Sequence, residues 1–144
     1  MNMALRNKFA QQYANTYVET SVSEATPHKL VEMLYEGALK NLNLTKVFIE
    51  QNNFEKKAEH VNKALSILNA LRSGVDLDKG KEVAENLYNL YDFCYRRVFE
   101  ASSQNNALLL DEVIEHLKVL AEAWKQMPED MKRISKEQID KMSA

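Results

Sequence analysis

The sequence predicts an all-α protein, an antiparallel up-down-up-down four-helix bundle, and three observations carry that expectation. Its 144 residues include only three glycines and two prolines, where average usage would supply roughly ten and seven. Long segments therefore run without a breaker, filled by Ala, Leu, Glu, Lys, Gln and Met, which lose little entropy in a helix. Apolar residues then recur at three- and four-residue steps in four successive segments.

The first segment opens at Thr26-Pro27, a hydroxyl at the N-cap followed by proline at the first helical position, where its missing N–H is no loss. It should end near Gln51, with Leu30, Val31, Leu34, Ala38 and Leu42 as its stripe. Gly37 inside it costs about 1 kcal/mol relative to Ala, and a close helix approach would account for it. Asn52-Asn53 ends this helix and can cap the second, which runs from about Phe54 to Ser73 with Phe54, Ala58, Val61, Leu65 and Leu68 in heptad spacing. Gly74 follows where a left-handed C-terminal cap is expected. The third helix, from about Lys79 to Ser102, carries Val83, Leu87, Leu90, Cys94, Val98 and Ala101. The fourth, from about Ala107 to Met127, carries Leu110, Val113, Leu117, Leu120 and Trp124. Asp111 and Glu112 suit the positive end of its dipole, and Pro128 stops it.

Helices of roughly 20–25 residues span about 30–38 Å, and short connections force neighbours antiparallel. The chain, 1–144, reads as one domain: an N-terminal segment (1–20), the bundle (26–127) and a frayed C-terminal tail (129–144). Leu5, Phe9, Tyr13 and Tyr17 step by four and would line one side of a short helix packed on the bundle. In the tail, Met131, Ile134, Ile139 and Met142 form only a loose pattern amid charges. A chain of this length buries roughly 70% of its unfolded surface, so the core needs no disulfide or metal.

Composition also excludes whole classes of function. A net charge of −2 leaves no basic face for nucleic acid. No apolar run approaches the roughly 20 residues of a membrane span, and Met1 to Lys8 lack the apolar block of a secretory signal. With Cys94 the single cysteine, no internal disulfide can form, and a reducing cytoplasm is the expected compartment.

Chemistry is scarce. A di-metal carboxylate site in a bundle needs Glu-x-x-His pairs, but Ala25, Lys57 and Val113 precede His28, His60 and His116 by three. Cys94 lies mid-helix on an apolar stripe, the setting of a core residue and not of a thiolate. A calcium loop from Asp76 would need glycine and glutamate where Lys81 and Leu87 stand. The three glycines are scattered, so there is no phosphate loop. No enzyme activity, metal site or cofactor is expected.

What remains is surface. The third helix adds Tyr88, Tyr91, Phe93, Tyr95 and Phe99 to its stripe, and the first adds Met33, Tyr35, Leu39, Leu44, Val47 and Phe48. A bundle core needs only about three positions in seven per helix. Two readings of the surplus stand side by side. It forms a groove for an apolar helix of a partner, or it is covered by the N-terminal segment and the tail.

Several segments together resemble the FliS family of flagellar secretion chaperones. They begin with Tyr13-Ala14-Asn15-Thr16-Tyr17-Val18-Glu19-Thr20 and the block Thr26-Pro27-His28-Lys29-Leu30-Val31-Glu32-Met33-Leu34-Tyr35-Glu36-Gly37-Ala38. Lys63-Ala64, Leu77-Asp78-Lys79-Gly80, Asn86-Leu87, Leu90-Tyr91-Asp92-Phe93, Arg96-Arg97 and Glu122-Ala123-Trp124-Lys125-Gln126 follow in family order, covering about residues 13–126. Glu36 replaces a usual Asp, Lys81 a frequent second glycine, Phe93 a common Tyr, Cys94 a common aliphatic or Met, and Ser102-Ser103 a usual Asn.

The resemblance implies a non-enzymatic chaperone in the bacterial cytosol. Such a chaperone binds the disordered C-terminal segment of flagellin by helix-in-groove recognition and prevents premature polymerisation. It then delivers its cargo to the membrane protein of the flagellar type III export gate. Neither nucleic-acid binding nor membrane insertion is implied, and a weak homodimer is the remaining association. The expected partner-binding residues are Leu34, Tyr35, Ala38, Leu42, Leu87, Tyr91 and Tyr95, each of which also reads as bundle core. Tyr13 and Tyr17 match the family's N-terminal aromatic region and are assigned to a cap or to gate docking. The competing expectation is a regulatory adaptor or anti-sigma-like bundle that binds a folded regulator.

Overall fold

The computed structural model describes residues 27–127, which form four helices: α1 (Pro27–Glu50), α2 (Phe54–Ser73), α3 (Leu77–Gln104) and α4 (Leu108–Lys125). Each helix packs on the one that follows, and α4 closes the ring against α1. Links of residues 51–53, 74–76 and 105–107 are too short for anything but antiparallel neighbours. The expected four-helix bundle is the fold. The cap segment 1–20, Thr26, Pro128 and the tail 129–144 lie outside the described residues.

Asparagine and aspartate make the turns. Asn52 and Asn105 adopt φ of 56° and 50°, a left-handed conformation that asparagine tolerates well. After each, the next amide closes back on the helix: Asn53 N–H to Phe48 O at 2.9 Å and Asn106 N–H to Ala101 O at 2.9 Å. The Asn53 side chain then caps α2 by accepting from Lys56 N–H at 3.2 Å. Asp76 caps α3, accepting from Asp78 N–H at 3.1 Å and Lys79 N–H at 3.0 Å. That cap starts α3 at Leu77, two residues before the expected Lys79. Gly74 departs from expectation, with right-handed φ −80° and ψ −7°. The chain turns there through a tight continuation of α2, with Gly74 N–H on Ala70 O at 3.0 Å and Val75 N–H on Arg72 O at 3.3 Å, so no left-handed residue is needed.

The core takes Leu34, Ala38, Leu42 and Ile49 from α1, and Val61, Ala64, Leu68 and Leu71 from α2. Tyr91, Cys94, Val98 and Ala101 come from α3, and Leu110, Val113, Ile114 and Leu117 from α4. Two expected stripes shift. In α2, Phe54 and Ala58 are exposed, because the helix begins beyond the edge of the core. In α3, Val83 is 77% exposed while its neighbour Ala84 is buried. Ala84 lies in heptad step with Tyr91, Cys94, Val98 and Ala101, which are all buried. The Tyr91 hydroxyl meets the hydroxyl of Tyr35 across the bundle, with ring centroids 6.5 Å apart, and both side chains are buried. A buried hydroxyl must find a partner, so α1 and α3 are fixed in rotation together.

Inside α3, Lys81 leaves the helix at φ 49° and ψ −126°. Glycine enters that region freely, but a side chain there costs about 1–3 kcal/mol.

The tyrosine pair gives a double-mutant test. Tyr35→Phe or Tyr91→Phe alone leaves one buried hydroxyl unpartnered, and each should lower urea-unfolding stability by about 1–3 kcal/mol. The double variant removes both polar groups and should recover most of that loss, a coupling that denaturation curves of the four proteins read directly.

Candidate partner-binding surface

Five of the seven residues expected to touch a partner lie inside the bundle. Leu34, Tyr35, Ala38, Leu42 and Tyr91 are all buried, so in this conformation they shape the outer faces from within. Leu87 and Tyr95 on α3 are half-buried and reach the surface. Tyr13 and Tyr17 lie outside the described residues.

Tyr95 sits in a built setting between α2 and α3. The Arg72 guanidinium lies 4.5 Å from its ring centroid, in the range of a cation–π contact. Arg72 is itself held, donating from Nη1 to Asp92 Oδ1 at 2.8 Å and from Nη2 to Asn69 Oδ1 at 2.9 Å. Arg96 reaches the other oxygen of Asp92 at 2.9 Å. Asp92 belongs to the block Leu90-Tyr91-Asp92-Phe93 noted in the sequence, but its pairing with Arg72 went unread, because two charged residues twenty positions apart give no local signal of a pair.

The exposed apolar side chains fall toward the two ends of the bundle. Val47, Phe54, Phe99 and Leu108 stand near the end where α1 and α3 finish and α2 and α4 begin. Leu77 and Val83 stand at the opposite end, with Val119 on the α4 half that runs toward it. Phe99 and Val47 belong to the surplus that the sequence flagged. Leu108 and Val119 lie on α4, where no surplus was expected.

Polar contacts between helices clamp the ends. Lys57 Nζ donates to Ser102 O at 3.1 Å and to Asn105 Oδ1 at 2.9 Å, so α2 neutralises the carbonyl end of α3. At the other end, Trp124 Nε1–H donates to His28 O at 2.9 Å, and His28 Nε2 returns a bond to Trp124 O at 3.2 Å. The two rings stack with centroids 4.7 Å apart, tying the start of α1 to the close of α4. His60 Nδ1–H donates to Asn41 Oδ1 at 2.9 Å, while Asn41 Nδ2–H donates to Gly37 O at 2.8 Å. His116 packs edge-on against Phe93. The three histidines thus serve packing and helix pairing.

Among the described residues, no three His, Cys, Asp or Glu side chains group as metal ligands would. No helix there is long and apolar enough to cross a membrane. Cys94 is fully buried, and desolvation, aided by the charge of Glu112, pushes its thiol up to about 12. It should resist alkylation at pH near 8 in the native protein and react fully once urea unfolds the chain. Mass spectrometry before and after unfolding checks this.

His60 is held below its ordinary value, chiefly by desolvation, with Lys63, Lys56 and Lys40 adding to the effect and Glu59 opposing it. Folding therefore favours its neutral form. Its contribution to stability is complete above the unfolded value and fades as pH falls through the lower folded value. Between about pH 7.5 and pH 5, the urea midpoint should fall further in the natural chain than in His60→Gln, as paired denaturation curves would record.

Sequence comparison supplies the context for this surface. The profile described as "Flagellar protein FliS" matches residues 9–131. The flagellar secretion chaperone FliS of Salmonella typhimurium is 43% identical over 116 residues, 80% of this chain and 86% of that protein. FliS of Vibrio cholerae is 38% identical over 82% of this chain and 87% of its own length. FliS of Bacillus subtilis is 34% identical over 86% and 88% respectively. A profile match across most of the sequence, and relatives matched over most of their own lengths, place the chain in the FliS family of flagellar proteins.

Proposed function

We propose that this FliS-family chain is a flagellar secretion chaperone of the bacterial cytosol that binds the C-terminal segment of flagellin and hands it to the export gate. The relatives named above carry the chaperone reading, and the family is one of chaperones and not of enzymes. One structural observation supports the binding mode: apolar side chains face outward on a bundle whose core is complete without them. Val83, Phe99 and Val119 are each more than half exposed. An amphipathic segment that folds as it binds can cover such separated positions at once. The affinity it forfeits to its own ordering suits a cargo that must be released.

Within this reading Leu87 and Tyr95 contact the segment, and Leu34, Tyr35, Ala38, Leu42 and Tyr91 hold the helices that present them. Tyr13 and Tyr17 act as a cap over the surface or as the docking point for the gate.

Calorimetric titration with a C-terminal flagellin peptide tests the proposal. The expected result is a saturable one-to-one complex with a negative heat-capacity change and a gain of helix beyond the separate components. Val83→Asp and Tyr95→Ala should each weaken it by about tenfold or more. No heat and no co-elution at concentrations of about 50 μM would remove flagellin as the cargo.

A further inference from the structure

We infer that Lys81 is the pivot of a hinge, across which α3 exchanges between the kinked start described above and a straight helix continued through it. The kinked form carries two signs of tension. Lys81 occupies φ 49° and ψ −126°, backbone that glycine adopts freely and lysine does not. Gly80 is also folded so tightly onto the next turn that a Cβ built there would collide with Cβ of Ala84. In a regular helix, side chains four apart keep their Cβ atoms about 5–6 Å from one another. Relaxing Lys81 to helical angles removes both features and places a good helix former in a helix interior.

The turn before the pivot is built to move as a unit. Asp76 accepts from Asp78 and Lys79, and Gly80 N–H donates to Asp76 O at 3.0 Å, so residues 76–80 carry their own cap and their own turn. What holds the kink is the link to α2. Only residues 74–76 join the two helices, and Val75 packs against the core. Straightening swings the turn outward and draws Val75 from that contact. Backbone strain at Lys81 and apolar burial at Val75 therefore oppose each other, and opening changes how much apolar surface this end of the bundle shows.

Two substitutions bias the exchange in opposite directions. Lys81→Gly frees the kinked form of strain and weakens the straight helix, so it should reduce the straight population about tenfold. Gly80→Ala has no room in the kinked form and fits the straight one, so it should raise that population. Nitroxide labels at Lys79→Cys and Lys118→Cys, both exposed, report the separation of the turn from α4 by electron–electron distance measurement. Cys94 is buried and stays unlabelled. The full-length chain should show two separations, of which Lys81→Gly keeps one and Gly80→Ala the other. One separation shared by all three proteins, or a shift of both variants in the same direction, would overturn the hinge. Should Gly80→Ala fail to fold, the comparison of the natural chain with Lys81→Gly decides: loss of a minor separation supports the hinge, and unchanged distances refute it.

Discussion

The hydroxyl pair of Tyr35 and Tyr91 is the contact on which the arrangement of the bundle turns. Apolar side chains tolerate rotation of a helix by a fraction of a turn, since a neighbouring leucine can fill the place of the first. A buried hydroxyl has no such freedom, because leaving it unpaired costs about 1–3 kcal/mol. The two phenols meet from helices that are not consecutive in the chain, so the pair fixes α1 against α3 directly. Burial raises both phenol pKa values, keeping the pair neutral and the bond intact. With α1 and α3 set, α2 and α4 fill the two remaining sides of the ring.

That constraint explains what the sequence disclosed and what it withheld. Helix number and order were legible because their signals are local: runs without glycine or proline build each helix, and Asn52-Asn53 ends α1 and caps α2 within one turn of where it stands. The α1 and α4 stripes were legible too, since Leu34, Ala38 and Leu42, or Leu110, Val113 and Leu117, are the best apolar choices on their helices. In α3 the apolar residues spread around more than one side, and periodicity alone could not choose between Val83 and Ala84. The buried face runs through Ala84, Tyr91, Cys94, Val98 and Ala101, and the partner that meets the Tyr91 hydroxyl stands 56 residues away, with no trace in local spacing. The same holds for the candidate surface. Tyr35 and Tyr91, expected with Tyr95 at the partner surface or in the core, are buried, and their polar atoms satisfy each other. Tyr95, held by Arg72, stayed at the surface.

The bundle divides its labour between its middle and its ends. Large buried side chains such as Leu42, Leu68 and Leu117 fill the interior, while polar clamps act near the termini of helices, where backbone groups lack intrahelical partners. Lys57 on Ser102 O and His28 on Trp124 O both use a side chain of one helix to satisfy the last-turn backbone of another. Such ties hold neighbouring helices together without drawing on the apolar side chains of the outer faces. Those side chains remain available for another role.

Leaving apolar side chains exposed invites self-association, all the more at a net charge of only −2. Every large exposed apolar residue of the bundle, however, has an acid beside it or within one turn. Val83 lies between Glu82 and Glu85, Leu77 between Asp76 and Asp78, and Val119 between Glu115 and Glu122. Leu108 precedes Asp111 and Glu112, while Glu50, Glu55 and Glu100 follow Val47, Phe54 and Phe99. Bases stand as near in most cases: Lys46 beside Val47, Lys57 over the Phe54 ring, Arg97 two residues before Phe99 and Lys118 beside Val119. Charges of both signs therefore frame most of the exposed apolar side chains, and whatever covers them has to pair with polar neighbours as well as bury apolar surface.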